Sequence, residues 1–213
     1  MYMPPFFEET DPAVMQALIA EFPLGALVTK SESGLTADHI PFLHIPATER
    51  DGERLIGHVA RNNPLWQNPD PDLEPMVIFQ GASAYITPNW YQTKRETHLV
   101  VPTYNYAVVH VHGPLIIHDD PKWVRMVVGR LTQRLEADQA EQWKMGDAPQ
   151  DFLTDQISKI VGIEIPIRAM VGKWKVNQNR TDADRLGAAA GLEERARADD
   201  LAMSALIRSR LDG

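Results

Sequence analysis

The chain has 213 residues, 44% of them hydrophobic and 23% charged, with a formal net charge of −8 and no cysteine. That is ordinary globular composition, and a chain of this length buries about 70% of its unfolded surface, enough for a core without disulfide staples. It excludes disulfides, thiolate nucleophiles and cysteine-ligated metal centres, and its acidic balance opposes a broad electrostatic grip on DNA. No apolar run approaches the roughly 20 residues that span a bilayer, and Met1 to Pro5 lacks the basic flank and apolar core of a secretory leader. The expectation is a cytoplasmic protein with no membrane partner, organised as one domain over 1–180 with a helical extension over 181–213.

Asp11-Pro12 reads as an N-cap with proline at the first helical position. It opens a helix to about Phe22, with Val14, Leu18 and Phe22 as the apolar stripe, and Pro23-Leu24-Gly25 ends it. Short β-like segments follow over 26–29, 36–45, 54–60, 76–86 and 107–117, the early ones separated by turn residues at Ser33-Gly34 and Asp51-Gly52. This spacing, with few helices between, predicts an antiparallel barrel of α+β, mainly β class rather than a parallel βαβ sheet. Asp120-Pro121 repeats the capping pattern, and Trp123, Val124, Val127, Val128, Leu131 and Leu135 recur at helical spacing. A shorter helix is expected over Gln150 to Lys159 and a strand over Val161 to Ile167. A last helix carries Met203, Leu206, Ile207 and Leu211 on one face.

Three clusters carry candidate chemistry. In GHVARNNPLW, Gly57 to Trp66, a strand runs into His58, Arg61, Asn62 and Asn63 before Pro64. The segment reads either as a strand with a capped turn or as a set of guanidinium and amide donors suited to a phosphate. In VIFQGASAYITPNWY, residues 77–91, a period of two puts Val77, Phe79, Gly81, Ser83, Tyr85 and Thr87 on one face. Small Gly81, Ala82 and Ser83 admit a second strand or a flat ligand, and Trp90-Tyr91 reads as a barrel cap or an interface pair. In VPTYNYAVVHVHG, residues 101–113, His110 and His112 face away from Val109 and Val111. With His98 or His118 they form the one arrangement resembling metal ligands, but no carboxylate accompanies them.

A further stretch, GKWKVNQNR over 172–180, combines Lys173, Lys175 and Arg180 with Trp174 and three amides. It could hold a phosphate and an aromatic ring, but on local grounds it reads as a solvated loop before the last helix. There is no GxGxxG after a strand, no P-loop, no GxSxG and no HExxH. Cationic and amide donors, small-residue strands and aromatics without an evident nucleophile suit a planar, phosphorylated cofactor that brings its own chemistry.

MYMPPFF, GHVARNNPLW, FQGASAYITPNWY, VPTYNYAVVHVHG and WKVNQNRTDADRLGAAAGL, in this order, resemble the PaiB-like family of FMN-binding negative transcriptional regulators. The resemblance runs from Met1 to about Leu192. It implies an FMN-binding split β-barrel with flanking helices and a C-terminal helix, assembled as a homodimer with flavin at the subunit interface. It places a phosphate site around His58, Arg61 and Asn62. The strand Ala37-Asp38-His39-Ile40-Pro41 would run beside the flavin ring, Thr103 and Asn105 would contribute at the dimer interface, and Lys173, Trp174 and Gln178 would close the site. Tyr104 and Thr87 stand where the family pattern has tryptophan and serine, each keeping the aromatic or the hydroxyl.

Two functions follow from the resemblance: a flavin-binding regulator, or a flavin-dependent oxidoreductase on a small substrate with His39, His58 and Asn105 orienting a hydride donor. No helix-turn-helix with basic recognition residues supports direct DNA binding. A haem or metal module on His110, His112 or His118 is the third possibility.

Overall fold

Strand β5 (Arg54–Ala60) and strand β6 (Met76–Ile86) occupy the segments that alternation assigns to them. The computed structural model describes residues 1–31, 34–67 and 74–211. Among these, the other strands are β1 (Glu8–Glu9), β2 (Leu24–Ser31), β3 (Gly34–Pro41), β4 (Leu43–Ile45), β7 (Thr103–His112), β8 (Ile116–His118), β9 (Ile160–Pro166) and β10 (Ala169–Lys175). The helices are α1 (Pro12–Glu21), α2 (Gln92–Thr97), α3 (Pro121–Leu135), α4 (Gln150–Ser158), α5 (Asp182–Arg195) and α6 (Asp200–Arg208). One sheet has the order β1-β10-β7-β6-β2-β3 and the other β4-β5-β9-β8. Two compact units result, one of Met1–Leu18, Gln80–Val109 and Val171–Gly213, the other of Ile19–Phe79 and His110–Met170.

In the second unit, β2 and β3 pair antiparallel from Leu24↔Pro41 to Ser31↔Gly34, and β5 and β9 from Arg54↔Pro166 to Ala60↔Ile160. Helix α3 starts as its cap foretells, with the Asp120 carboxylate accepting from Lys122 N–H at 3.1 Å. Its Val127 and Leu131 bury against Ile56, joined by Leu43, Ile45, Trp123 and Met126. Gly162 lets α3 close on the sheet, because a Cβ there would meet the Trp123 ring at 2.2 Å. The turn residue Gly34 has φ 115°, a left-handed conformation that glycine adopts without strain. Its predicted companion Ser33 lies outside the described residues, as do the last two of the tail.

Two expected strands are each divided. The segment 36–45 breaks at Phe42, whose N–H donates to the Pro23 carbonyl at 2.9 Å while its ring meets Phe79 edge-on. The chain thereby leaves one sheet and enters the other. The segment 107–117 begins earlier, at Thr103, and stops at His112. At Gly113 the backbone passes so close to the Pro166 carbonyl that a Cβ would sit 1.9 Å from it. The α1 stripe is also rotated: Met15, Leu18 and Ile19 are buried, whereas Val14 and Phe22 are half-buried.

In the first unit the stretch read as a loop, 172–180, is in its first half strand β10. Pairing with β1, Glu8↔Lys173 and Glu9↔Gly172, sets acidic residues opposite a basic segment. The single face expected for Val77 to Thr87 also fails. Val77, Phe79 and Gly81 are buried, but the buried parity then switches to Ala82, Ala84 and Ile86, leaving Tyr85 exposed. The tail forms two helices, parted at Ala196 with φ 49°. They are tied by Arg195 to the Asp200 carboxylate at 2.7 and 2.5 Å. Met203 and Ile207 are fully buried on α6, whereas Leu211 falls beyond its end.

Candidate functional site

The corner that follows β5 is held from several sides. Asn63 caps the 3₁₀ turn Pro64–Trp66 by accepting from Leu65 N–H at 2.9 Å, and its amide donates to the Asp38 carboxylate at 2.7 Å. Trp66 Nε1–H donates to the Arg61 carbonyl at 2.8 Å. The Arg61 guanidinium donates to the carbonyls of Ser158 at 2.6 Å and Ile160 at 3.2 Å. It also meets both oxygens of Asp119, at 3.0 and 2.6 Å. Four of its five N–H groups are thus occupied. The hydrogen bond from Arg61 holds the Asp119 carboxyl below its ordinary value. Asn62 is exposed, and its amide has no partner among the described residues. His58 Nδ1 is buried without a partner, and burial lowers the imidazole pKa, which favours the neutral ring.

Residues 37–41 lie on β3, the last strand of its sheet. Ala37, His39 and Pro41 are exposed, Ile40 is buried and Asp38 is half-buried. An edge strand leaves one row of backbone N–H and C=O groups unpaired, which is the resource that a planar polar ligand needs. The carboxylate of Asp38 joins this strand to the corner through Asn63.

The remaining predicted residues belong to the first unit. Lys175 Nζ donates to Thr103 Oγ1 at 2.5 Å and to the Tyr104 carbonyl at 2.8 Å. Burial, then the charges of Lys173 and Arg180, holds the Lys175 amine below its ordinary range. Lys173 is buried, donates to the Tyr2 carbonyl at 3.0 Å and lies 5.5 Å from the Tyr106 ring. Asn105 is completely buried, yet neither its Oδ1 nor its Nδ2 has a hydrogen-bond partner. Trp174 is buried, and Gln178 folds back to accept from Val176 N–H and donate to the Trp174 carbonyl.

The structure therefore gathers Thr103 with Lys175 and sets Asn105 two residues along the same strand. Ala37 to Pro41 and His58, Arg61 and Asn62 stand in the other unit. In sequence, Lys175 and Arg180 suit either a phosphate or a solvated loop, and the loop is preferred there; the structure sets Lys175 close enough to Lys173 and Arg180 for their charges to lower its pKa. His110, His112 and His98 meet no further ligand group: among the described residues no three His, Cys, Asp or Glu side chains gather as a metal site. His118 instead pairs with Glu164 at 2.8 Å and stacks on Trp123.

The architecture is similar to that of the flavocytochrome Anf3 from Azotobacter vinelandii, with a TM-score of 0.59 and 11% identity over 81% of this chain and 72% of that one. The fold is thus the split barrel of flavin-binding proteins, in α+β form with antiparallel sheets. Residues 1–169 match the family described as "Putative FMN-binding domain", and the chain belongs to that family, whose cofactor is FMN. An uncharacterized protein of Emericella nidulans is 31% identical over 91% of this chain and 90% of its own. Protease synthase and sporulation protein PAI 2 of Bacillus subtilis is 25% identical over 99% of this chain and 98% of its own. Among the described residues no helix is long and apolar enough to cross a membrane.

Proposed function

We propose that this protein is an FMN-binding negative regulator of gene expression of the PaiB type. It works as a cytoplasmic homodimer, and the flavin rather than a DNA-reading helix is its responsive part. The observation that carries this reading is the likeness to Bacillus subtilis PAI 2 over 99% of the chain. That likeness continues past residue 169, where the family match ends, through α5 and α6. The net charge of −8 supports an indirect route to gene expression, because a protein of that sign gains nothing from counterion release on a duplex.

The residues of the first unit fit a phosphorylated flavin. An amide that is buried and unpaired costs about 1–3 kcal/mol, a penalty removed when a ligand supplies its partner. Asn105 is in that condition, and we assign it to the polar edge of the isoalloxazine. Lys175 with Lys173 and Arg180 forms a cationic group whose mutual repulsion an anionic phosphate relieves, and Thr103 orients Lys175 for it. Trp174 and Gln178 stiffen the strand end that carries these charges. In the second unit, the β3 edge and the Asn62 amide offer backbone and side-chain donors of their own, while Arg61 is committed to the corner it holds. FMN, when bound, supplies one- and two-electron redox chemistry.

The test joins chemistry to genetics. The small molecule released on denaturation is identified by mass, and transcripts are compared in a deletion strain complemented with wild type or with Asn105→Leu. FMN in the protein and genes de-repressed on deletion, restored by wild type but not by Asn105→Leu, are expected. Unchanged transcripts in the deletion strain overturn the regulator. Bleaching of the flavin by NADH or NADPH together with that result selects the oxidoreductase.

A further inference from the structure

Away from the residues assigned to flavin, the second unit carries a cleft of about 340 Å3, within the size range of small-ligand sites. Its floor is apolar: Ile56 belongs to the buried core, and Trp123 and Met126 of α3 pack against that core beside it. Its charged lining divides into two sets. Glu164 is engaged from both sides, with Oε1 3.5 Å from Arg54 Nε and Oε2 2.8 Å from His118 Nε2. Arg54 also donates to the Gly52 carbonyl at 3.2 Å. That wall satisfies itself.

The second set does not. Arg130 on α3 and Asp51, on the loop between β4 and β5, both line the cleft, and each carries a charged side chain. Neither side chain has a hydrogen-bond or ion-pair partner among the described residues, and they do not pair with each other. One cleft thus presents a free cation and a free anion over an apolar floor.

We infer that this cleft binds a free α-amino acid with an aliphatic or aromatic side chain. The ligand's carboxylate meets Arg130 in the bidentate manner that guanidinium favours, its ammonium meets Asp51, and its side chain covers Ile56 and Met126. A plain carboxylate brings its charge against Asp51 and a plain amine against Arg130, so each is rejected by one group. A zwitterion satisfies both. A polar side chain laid on this floor loses its hydration without finding a partner, which narrows the class to apolar amino acids. This site is independent of flavin.

The experiment uses the full-length, FMN-loaded protein in calorimetric titrations with L-leucine, L-methionine, L-phenylalanine and L-tryptophan. Isocaproate and isoamylamine run alongside, each keeping the leucine side chain and one of its two charges. At least one amino acid binds with a millimolar or tighter Kd, and each single-charge analogue of leucine binds about tenfold more weakly than leucine. Arg130→Met and Asp51→Asn each weaken amino-acid binding about tenfold or more. Both side chains belong to exposed residues, so melting temperature and flavin content stay at wild-type values. Absence of heat with all four amino acids through the millimolar range overturns the inference. So does equal binding of either analogue, or unchanged affinity in either variant.

Discussion

The guanidinium of Arg61 and the carboxylate of Asp119 meet face to face, Nη1 to Oδ2 at 3.0 Å and Nη2 to Oδ1 at 2.6 Å. The arginine that sequence reading offers to a phosphate spends its fork on a neighbouring carboxylate. It ties the end of β5 to the start of α3 and, through the Ser158 and Ile160 carbonyls, to the end of α4 and the start of β9. Asp119→Asn removes the charge that orients Arg61 while leaving Arg61 in place. A lower melting temperature with unchanged FMN affinity is expected, measured by thermal melts and flavin titration of the same preparations. A loss of FMN affinity with unchanged melting temperature would return Arg61 to the phosphate.

Asn105 separates folding from binding in the opposite sense. Replacing a buried, unpaired amide by an apolar group of similar volume is neutral or stabilising by up to about 1 kcal/mol in the apoprotein. The same change removes the flavin's partner. Asn105→Leu is therefore expected to keep or raise the apoprotein melting temperature and to weaken FMN about tenfold or more. Equal FMN affinity in variant and wild type would sink the assignment.

Lys175 gives a pH signature. Its folded pKa is lowered from 10.5, so protonating it costs the folded apoprotein. Apoprotein stability consequently rises as pH climbs through the lowered folded value toward 10.5. An anionic phosphate favours the charged amine, so FMN affinity falls over the same alkaline range, whereas riboflavin affinity does not. Lys175→Met should abolish this difference between the two ligands in fluorescence titrations.

Helix α5 contains a seat for one side chain. A Cβ at Gly191 would lie 2.3 Å from the Trp90 ring, and one at Gly187 would lie 2.1 Å from the Trp90 carbonyl. Helix propensity alone predicts that Gly187→Ala stabilises by about 1 kcal/mol. Overpacking against a backbone carbonyl reverses the sign, and a loss of about 1–3 kcal/mol is expected in chemical denaturation.

The Arg195–Asp200 pair controls acid sensitivity in the tail. Hydrogen bonds from Arg195, followed by the Arg197 N–H, hold the Asp200 carboxyl below its usual 3.8. A carboxyl depressed on folding contributes stability that is present above its unfolded value and lost as pH falls through the folded one. Asp200→Asn costs about 2 kcal/mol at neutral pH. It also flattens the loss of stability below pH 3.8 in acid titrations followed by circular dichroism.

What the sequence made legible was local and repetitive. The proline-led starts of α1 and α3, the bounds of β5 and β6 and the antiparallel class all follow from caps and alternation. The division of 36–45 at Phe42 was not legible, because a phenylalanine continues an alternating pattern whether or not the chain changes sheet there. Strand β10 was hidden by its charges, whose partners, the Tyr2 carbonyl, the Thr103 hydroxyl and the Tyr104 carbonyl, lie far off in sequence. The switch of buried parity at Gly81–Ala82 leaves no trace in a run of small residues that suits either face. At the site, Arg61 was conspicuous by type, yet its partner Asp119 lies 58 residues away and is an ordinary pre-helical aspartate in sequence. The orphaned amide of Asn105 is a property of burial, and no spacing announces burial of that kind.

Phe42 is the only residue between β3 and β4, which belong to different sheets, and its N–H donates to Pro23 rather than to either ladder. Fraying of one strand therefore cannot stop at a loop before it reaches the other. The two edges are expected to behave as one cooperative opening unit. In hydrogen exchange, the Phe42 amide proton is expected to be released when the β3 and β4 edges open together, making this one proton a clock for that joint opening.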